Sequence, residues 1–225
     1  MKKIFTLILI TLITVTASAQ YRSGSSIGKL KIRWYKTGWF LDANGGARIL
    51  GTTSANTDMK LGGSVNAGIG YFFNDKIALK GRVDANQFRA QYSNGNIDQS
   101  LTVGVSGEVM VRLLQLIHHK RARNFALNVH AGSGLSALIN PSFRKQVENN
   151  GGELDGKLLN NADNIGHVIF GITPQYHFNS RWSINLDVSS ITHFKQFRTF
   201  DTHEAVRADN PTGFLSGSIG LTFRP

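Results

Sequence analysis

Eight stretches of this chain, each ten to thirteen residues long, alternate apolar and polar side chains with a period of two. In 77–88, IALKGRVDANQF, Ile77, Leu79, Gly81, Val83 and Ala85 fall on one side, and Ala78, Lys80, Arg82, Asp84 and Asn86 on the other. Successive side chains of an extended backbone point to opposite faces, so a period of two dictates strands. The pattern recurs over 39–50, 61–73, 101–113, 125–135, 167–178, 182–191 and 214–223. These lengths match the roughly 9–11 residues with which a tilted strand crosses a bilayer. Two arrangements satisfy the alternation. Either charges face water around an apolar core, or apolar side chains face lipid around a polar core.

The N-terminus bears on that choice. The leader MKKIFTLILITLITVTASAQ starts with Lys2 and Lys3, continues with an apolar run over 4–15 and reaches Ala17-Ser18-Ala19 ahead of Gln20. A basic start, a short apolar run and an A-x-A-like cleavage site spell a secretory signal peptide over 1–19 rather than a spanning helix. The chain has no cysteine, so an exported form holds together without disulfides. Beyond the leader, no apolar run is long enough for a spanning helix. The full chain carries a net charge of +11, or +9 without the two leader lysines. Such a charge favours outer-membrane lipid and lipopolysaccharide as partners, and export excludes nucleic acid as a natural one. A basic segment over 20–37 precedes the first strand. Its Leu30, Ile32 and Trp34 alternate with Lys29, Lys31 and Arg33, as expected of a periplasmic lead-in or of a contact with an anionic leaflet.

Loop lengths and aromatic positions choose between the two arrangements. Short turns fall at Asn74-Asp75 and Asn179-Ser180, whereas long polar links follow the first, third, fifth and seventh strands, notably over 139–164 and 195–211. The basic stretch 115–124 is a medium-length turn on the short side. Trp39, Tyr71, Phe73, Phe125, Tyr176, Phe178, Trp182 and Phe223 all fall at the short-turn end of an up-and-down meander, on the apolar face. Short turns at one end, long loops at the other and an aromatic girdle facing outward describe a transmembrane β-barrel. The fold expected over 38–224 is therefore all-β, an eight-stranded antiparallel up-and-down transmembrane β-barrel.

In so small a barrel the polar face fills the interior, and charges there must pair. Hairpin alignment sets Arg82 opposite Glu108 and near Gly68, with Asp42 one strand further along. Lys80, Asp84 and Arg112 lie within a layer of them. A lumenal ion-pair network of Asp42, Lys80, Arg82, Asp84, Glu108 and Arg112 is expected, with Gly68 and Gly104 leaving room for the arginine.

The leader, the eight strands, the alternating loop lengths and the last strand SGSIGLTFRP, with Phe223 near its end, resemble the OmpA/OmpX-type small outer-membrane β-barrels. The resemblance implies a bacterial outer-membrane location and recognition of Phe223 by the barrel-assembly machinery, although Arg224 and Pro225 follow it. It supplies no peptidoglycan-binding domain here, and no protein partner can be named.

Candidate chemistry is sparse. His118 and His119 are adjacent and point to opposite sides of an extended backbone, a poor chelate. His193 with Ser190 and Asp201 suggests a lipid-A-modifying hydrolase only if the three converge. His130 and His177 read as hydrogen-bonding filler, the segment NGGELDGK as a polar loop without calcium-loop spacing, and GVSGE as no nucleophile elbow. Pro174 marks a bulge or an unpaired site. No catalytic residue, cofactor or metal ligand is assigned. The expected role is structural or interactive: envelope integrity, loop-mediated binding or service to an envelope complex. A narrow gated channel or lumenal small-ligand binder is the alternative, and a lipid-A-modifying enzyme stands behind both.

Overall fold

The computed structural model describes residues 37–51, 57–92, 97–117, 124–139, 163–194 and 212–225. The signal peptide, the basic segment 20–37 apart from Thr37, His118, His119, Asp201 and NGGELDGK lie outside the described residues. The strands are β1 (Gly38–Gly51), β2 (Thr57–Lys60), β3 (Gly62–Phe72), β4 (Ile77–Tyr92), β5 (Ile97–Arg112), β6 (Phe125–Ile139), β7 (Asp163–His177), β8 (Trp182–Phe194) and β9 (Thr212–Phe223). A short helix, α1 (Leu113–Ile117), follows β5 and occupies part of what the sequence suggested was a plain turn.

The second expected strand, 61–73, corresponds to β3 and is preceded by β2 across Leu61; β2 and β3 both pair antiparallel with β4 and act as one stave of the wall. Around the wall the order is β4, β3, β1, β9, β8, β7, β6, β5, and β4–β5 pairing closes it. The result is a closed, eight-stranded, antiparallel, up-and-down barrel, in which β2 pairs with β4 alone among the described residues. Closure of the first strand on the last runs in register from Leu41 opposite Phe223 to Arg48 opposite Ser216, with one irregularity between Arg48 and Leu50.

Asparagine sets both short turns. Asn74 Oδ1 accepts from the amides of Lys76 and Ile77, each at 2.8 Å. Asn179 Oδ1 does the same for Arg181 and Trp182. A side-chain acceptor two to three residues upstream replaces a backbone partner and reverses the chain tightly. Gly38, at φ 137°, takes a backbone conformation that other residues rarely adopt as it opens β1.

The barrel is inside out relative to a water-soluble one. Exposed side chains along the strands include Leu41, Val65, Ile69, Leu79, Val83, Val109, Phe170 and Leu221. Buried ones include Asp42, Asn44, Lys80, Arg82, Glu108, Asn128, Asn185 and Asp187. Pro174 stands opposite Leu127 on β6, but the ladder to β8 lapses between Ile172 and Gln175 without changing register. It is an unpaired site and not a bulge, as expected of a residue without an N–H.

Candidate functional site

The centre of the lumen is a set of charges held by five of the eight wall strands. Arg82 leaves β4 and pairs through Nε with Glu108 Oε1 on β5 at 2.8 Å, and through Nη2 with Asp187 Oδ2 on β8 at 2.6 Å. β8 is four staves from β4 in either direction, so Arg82 braces the full width of the barrel. His130 on β6 sits between the same acids, its Nδ1 2.9 Å from Glu108 Oε2 and its Nε2 3.6 Å from Asp187 Oδ2. Ser106 donates to Glu108 at 3.1 Å, Thr173 to Asp187 at 3.4 Å, and Ser189 to Asp187 at short range. On the β1 side, Lys80 Nζ pairs with Asp42 Oδ2 at 2.7 Å.

Glycines make the room. A Cβ at Gly171 would run into the His130 ring, and one at Gly132 would lie 2.8 Å from Glu108 Cγ. Close approach of the backbone to these two side chains therefore requires glycine. Gly68 lies against Lys80 and Asp42, and Gly104 against Asp84 and Ser136. Gly68 is also the cross-strand partner of Arg82.

Four of the six residues expected in the network meet in pairs, Asp42 with Lys80 and Arg82 with Glu108. The register differs from the hairpin alignment: Arg82 faces Ser106, and Glu108 faces Lys80. The long guanidinium slants along the wall to reach its acid. The other two stand apart. Asp84 accepts from Asn86 at 2.6 Å in a chain that Ser64 extends. Arg112 lies at the short-turn end, stacked 3.6 Å from the Phe72 ring centroid and donating to the Asp75 carbonyl at 3.1 Å. Asp187 and His130, which complete the cluster, are absent from the expected set.

Both ends of the lumen are apolar. Phe40, Phe72, Ala78 and Met110 fill the short-turn end, with Arg112 and Arg224 over Phe72. Phe88, Leu138, Ile165, Ile169, Ile191 and Phe214 fill the loop end, where Arg48 lies over Phe88 at 4.2 Å. The charged centre is thus sealed between two hydrophobic collars. Described residues offer no hydrolytic group at the place the sequence suggested: His193 is buried in the lumen beside His167, while Ser190 is exposed on the outer face. His167 takes a different partner, Ser136 Oγ, at 2.8 Å.

The aromatic residues gather at the short-turn end on the outer face. Trp39 stands opposite Tyr71, Phe125 opposite Tyr176, and Trp182 opposite Phe223. Ring pairs join Trp39 to Tyr71, Tyr71 to Phe73, Tyr176 to Phe178, and Trp182 to Phe223, with centroids 4.7–5.8 Å apart.

No family model matches the sequence, and no curated protein matches it. Among solved structures it is similar to the outer membrane protein OprG of Pseudomonas aeruginosa, with a TM-score of 0.52 and 12% identity over 86% of this chain and 99% of that one. Neisserial surface protein A aligns with a TM-score of 0.48 and 12% identity over 84% of this chain and 97% of that one. The likeness to OprG is one of fold: this chain is a closed eight-stranded antiparallel barrel of the kind found among small outer-membrane proteins.

Proposed function

We propose that the chain is an integral protein of a bacterial outer membrane, and that its barrel is a closed scaffold whose role is structural or interactive. One observation carries this reading: the exposed wall is apolar from Leu41 to Ile219 around the barrel while the lysine, arginines and carboxylates are buried. In water that distribution would leave a hydrophobic surface far larger than a soluble monomer tolerates, whereas in lipid it is the arrangement of lowest cost. The aromatic end then marks the periplasmic interface, and the long links reach outward. Phe223, at the outer face of the closing strand, is the residue that assembly machinery would read, and 1–19 would be removed on export.

The expected result is heat-modifiable migration of the membrane-extracted protein on a gel, with recovery in the outer-membrane fraction. A soluble, boiling-insensitive protein would sink the proposal.

The two apolar collars favour a closed scaffold over a narrow channel. Ions crossing the lumen would have to pass Phe40, Phe72 and Met110 at one end and the Phe88–Phe214 cluster at the other, with ring centroids there 5.1 Å apart. Planar-bilayer recordings are expected to stay silent for the wild type and also for Arg82→Ala, since removing the central brace leaves both collars in place. Frequent stable openings in either protein would instead support the channel.

A further inference from the structure

Where the charged centre meets the short-turn collar, the lumen holds a cavity of about 10 Å³, the space of a single water molecule. Phe40, Phe72 and Met110 of the collar line one side of it, and Asp42 and Asn128 are among the polar residues that line the rest. These two side chains are 9% and 2% exposed, and among the described residues the Oδ1 atom of each has no hydrogen-bond partner. Their other polar atoms are already engaged. Asp42 Oδ2 holds Lys80 Nζ at 2.7 Å. Asn128 Nδ2 donates to Gln175 Oε1 at 3.1 Å, and Gln175 Nε2 donates to Ser183 Oγ at 2.7 Å, so Asn128 has only an acceptor left to offer. A buried acceptor without a donor keeps the full cost of losing its water. Two of them at one small cavity call for a donor between them.

Charge and size together name the occupant. A cation would stand against Lys80, which already holds Asp42, and against Arg224, which lines the same cavity and lies over Phe72. An anion would stand against the Asp42 carboxylate. A neutral molecule with two protons to give and a lone pair to receive meets neither objection, and the volume admits nothing larger than water. Thr222, also in the lining, supplies the third bond: its Oγ1 accepts from Asn185 Nδ2 at 2.9 Å, so its own proton can turn toward the cavity. About three hydrogen bonds to otherwise unsatisfied groups are the usual complement of a buried water.

We propose that this cavity is the site of one ordered water, which donates to Asp42 Oδ1 and Asn128 Oδ1, accepts from Thr222 and so ties β1 to β6. Those strands are four staves apart in either direction, as β4 and β8 are, and β1 is two staves from β4, a quarter of the way around. The Arg82 brace between β4 and β8 thus gains a second brace that crosses it, spanning the width of the barrel that the arginine leaves untied. A water bridge holds nearly as well as a direct hydrogen bond, so the scaffold is stiffened along both diameters. The site goes beyond the scaffold reading and does not depend on what surrounds the wall.

The test is water-to-methyl nuclear Overhauser spectroscopy of the full-length mature protein in detergent micelles, with isotope-labelled methionine methyl groups. Met110 lines the cavity and is 4% exposed, so a water signal at its methyl reports the interior, and Met110→Leu assigns the resonance. The wild type is expected to show a cross-peak at the water frequency with the sign of a long-lived contact. Asn128→Leu, which keeps the volume but removes the acceptor, and Thr222→Val, which removes the donor, are each expected to lose most of it while heat-modifiable migration shows the barrel still closed. Absence of the cross-peak from the wild type would overturn the site, as would its persistence at full strength in either variant that still folds. Replacing sodium with choline at constant ionic strength is expected to leave both the cross-peak and the urea midpoint unchanged. A fall in the midpoint would overturn the water in favour of a bound cation.

Discussion

Arg82→Ala is expected to destabilise the folded barrel by about 3–5 kcal/mol, read as a lower urea midpoint in lipid vesicles. The guanidinium is 2% exposed and is the partner of two carboxylates, Glu108 and Asp187, that are equally buried. Its removal leaves both acids facing each other with only His130 between them. Uncompensated buried charge costs more than the pair itself contributes, because each carboxylate has already lost its water. Arg82→Lys keeps the charge but loses the fork, and a single ammonium cannot meet both an acid on the neighbouring stave and one across the lumen, so an intermediate loss is expected. Adding Glu108→Gln to Arg82→Ala should recover part of the stability, because the second change removes one of the stranded charges. Raising the salt concentration should alter the difference little, since the cluster lies beyond the reach of mobile ions. A midpoint for Arg82→Ala within about 0.5 kcal/mol of the wild type would show that the brace is dispensable.

The period of two was enough to assign each residue to the inner or outer face, and with the short turns it placed all eight girdle aromatics at one end. Pairing was harder to read. The connection between β4 and β5 carries the hairpin signal Asn94-Gly95, but the register depends on how many residues the loop around it takes, and a slip of two preserves every face. That is why Glu108 stands opposite Lys80 and not Arg82. Asp187 and His130 escaped for a different reason. Hairpin alignment relates neighbours only, whereas Arg82 meets Asp187 across the lumen, a contact that exists only once the wall has closed. The polar face of 182–191 does display Asp187, so an unpaired inward acid on the opposite stave was the available signal. Asp84 and Arg112 were placed in the lumen correctly, but their heights depend on tilt, which alternation does not report. The collars are also written in the chain, as breaks in the pattern: Phe40 beside Trp39, Phe72 within YFF, Ile169 between Val168 and Phe170, Phe214 beside Leu215. Adjacent apolar residues at strand ends read as ragged edges until it is clear that the lumen needs a hydrophobic seal at each mouth.

Val105→Arg is expected to cost about 2–4 kcal/mol of folding stability in a bilayer, although Val105 is 51% exposed and touches no functional group. The argument depends on what lies outside the wall. Val105 is opposite Val83, four residues from the Leu79–Val109 pair level with the girdle. About 13 Å along the strand is about 10 Å along the axis at a tilt of about 40°, close to the middle of an apolar band about 25 Å tall. A guanidinium there must abandon its hydration or thin the lipid around it. Were the outer face solvated, the same change would fall within about 0.5 kcal/mol, as surface substitutions do. A companion substitution sharpens the contrast. Gln87→Arg, on the same face but at the far interface, should be nearly neutral, because cost falls steeply with distance from the midplane. Comparison of the two by urea unfolding in phosphatidylcholine vesicles measures depth directly. Equal effects at both positions would mean that the face is not in lipid, whereas a large loss at 105 and little at 87 places the membrane between the aromatic girdle and the level of Gln87.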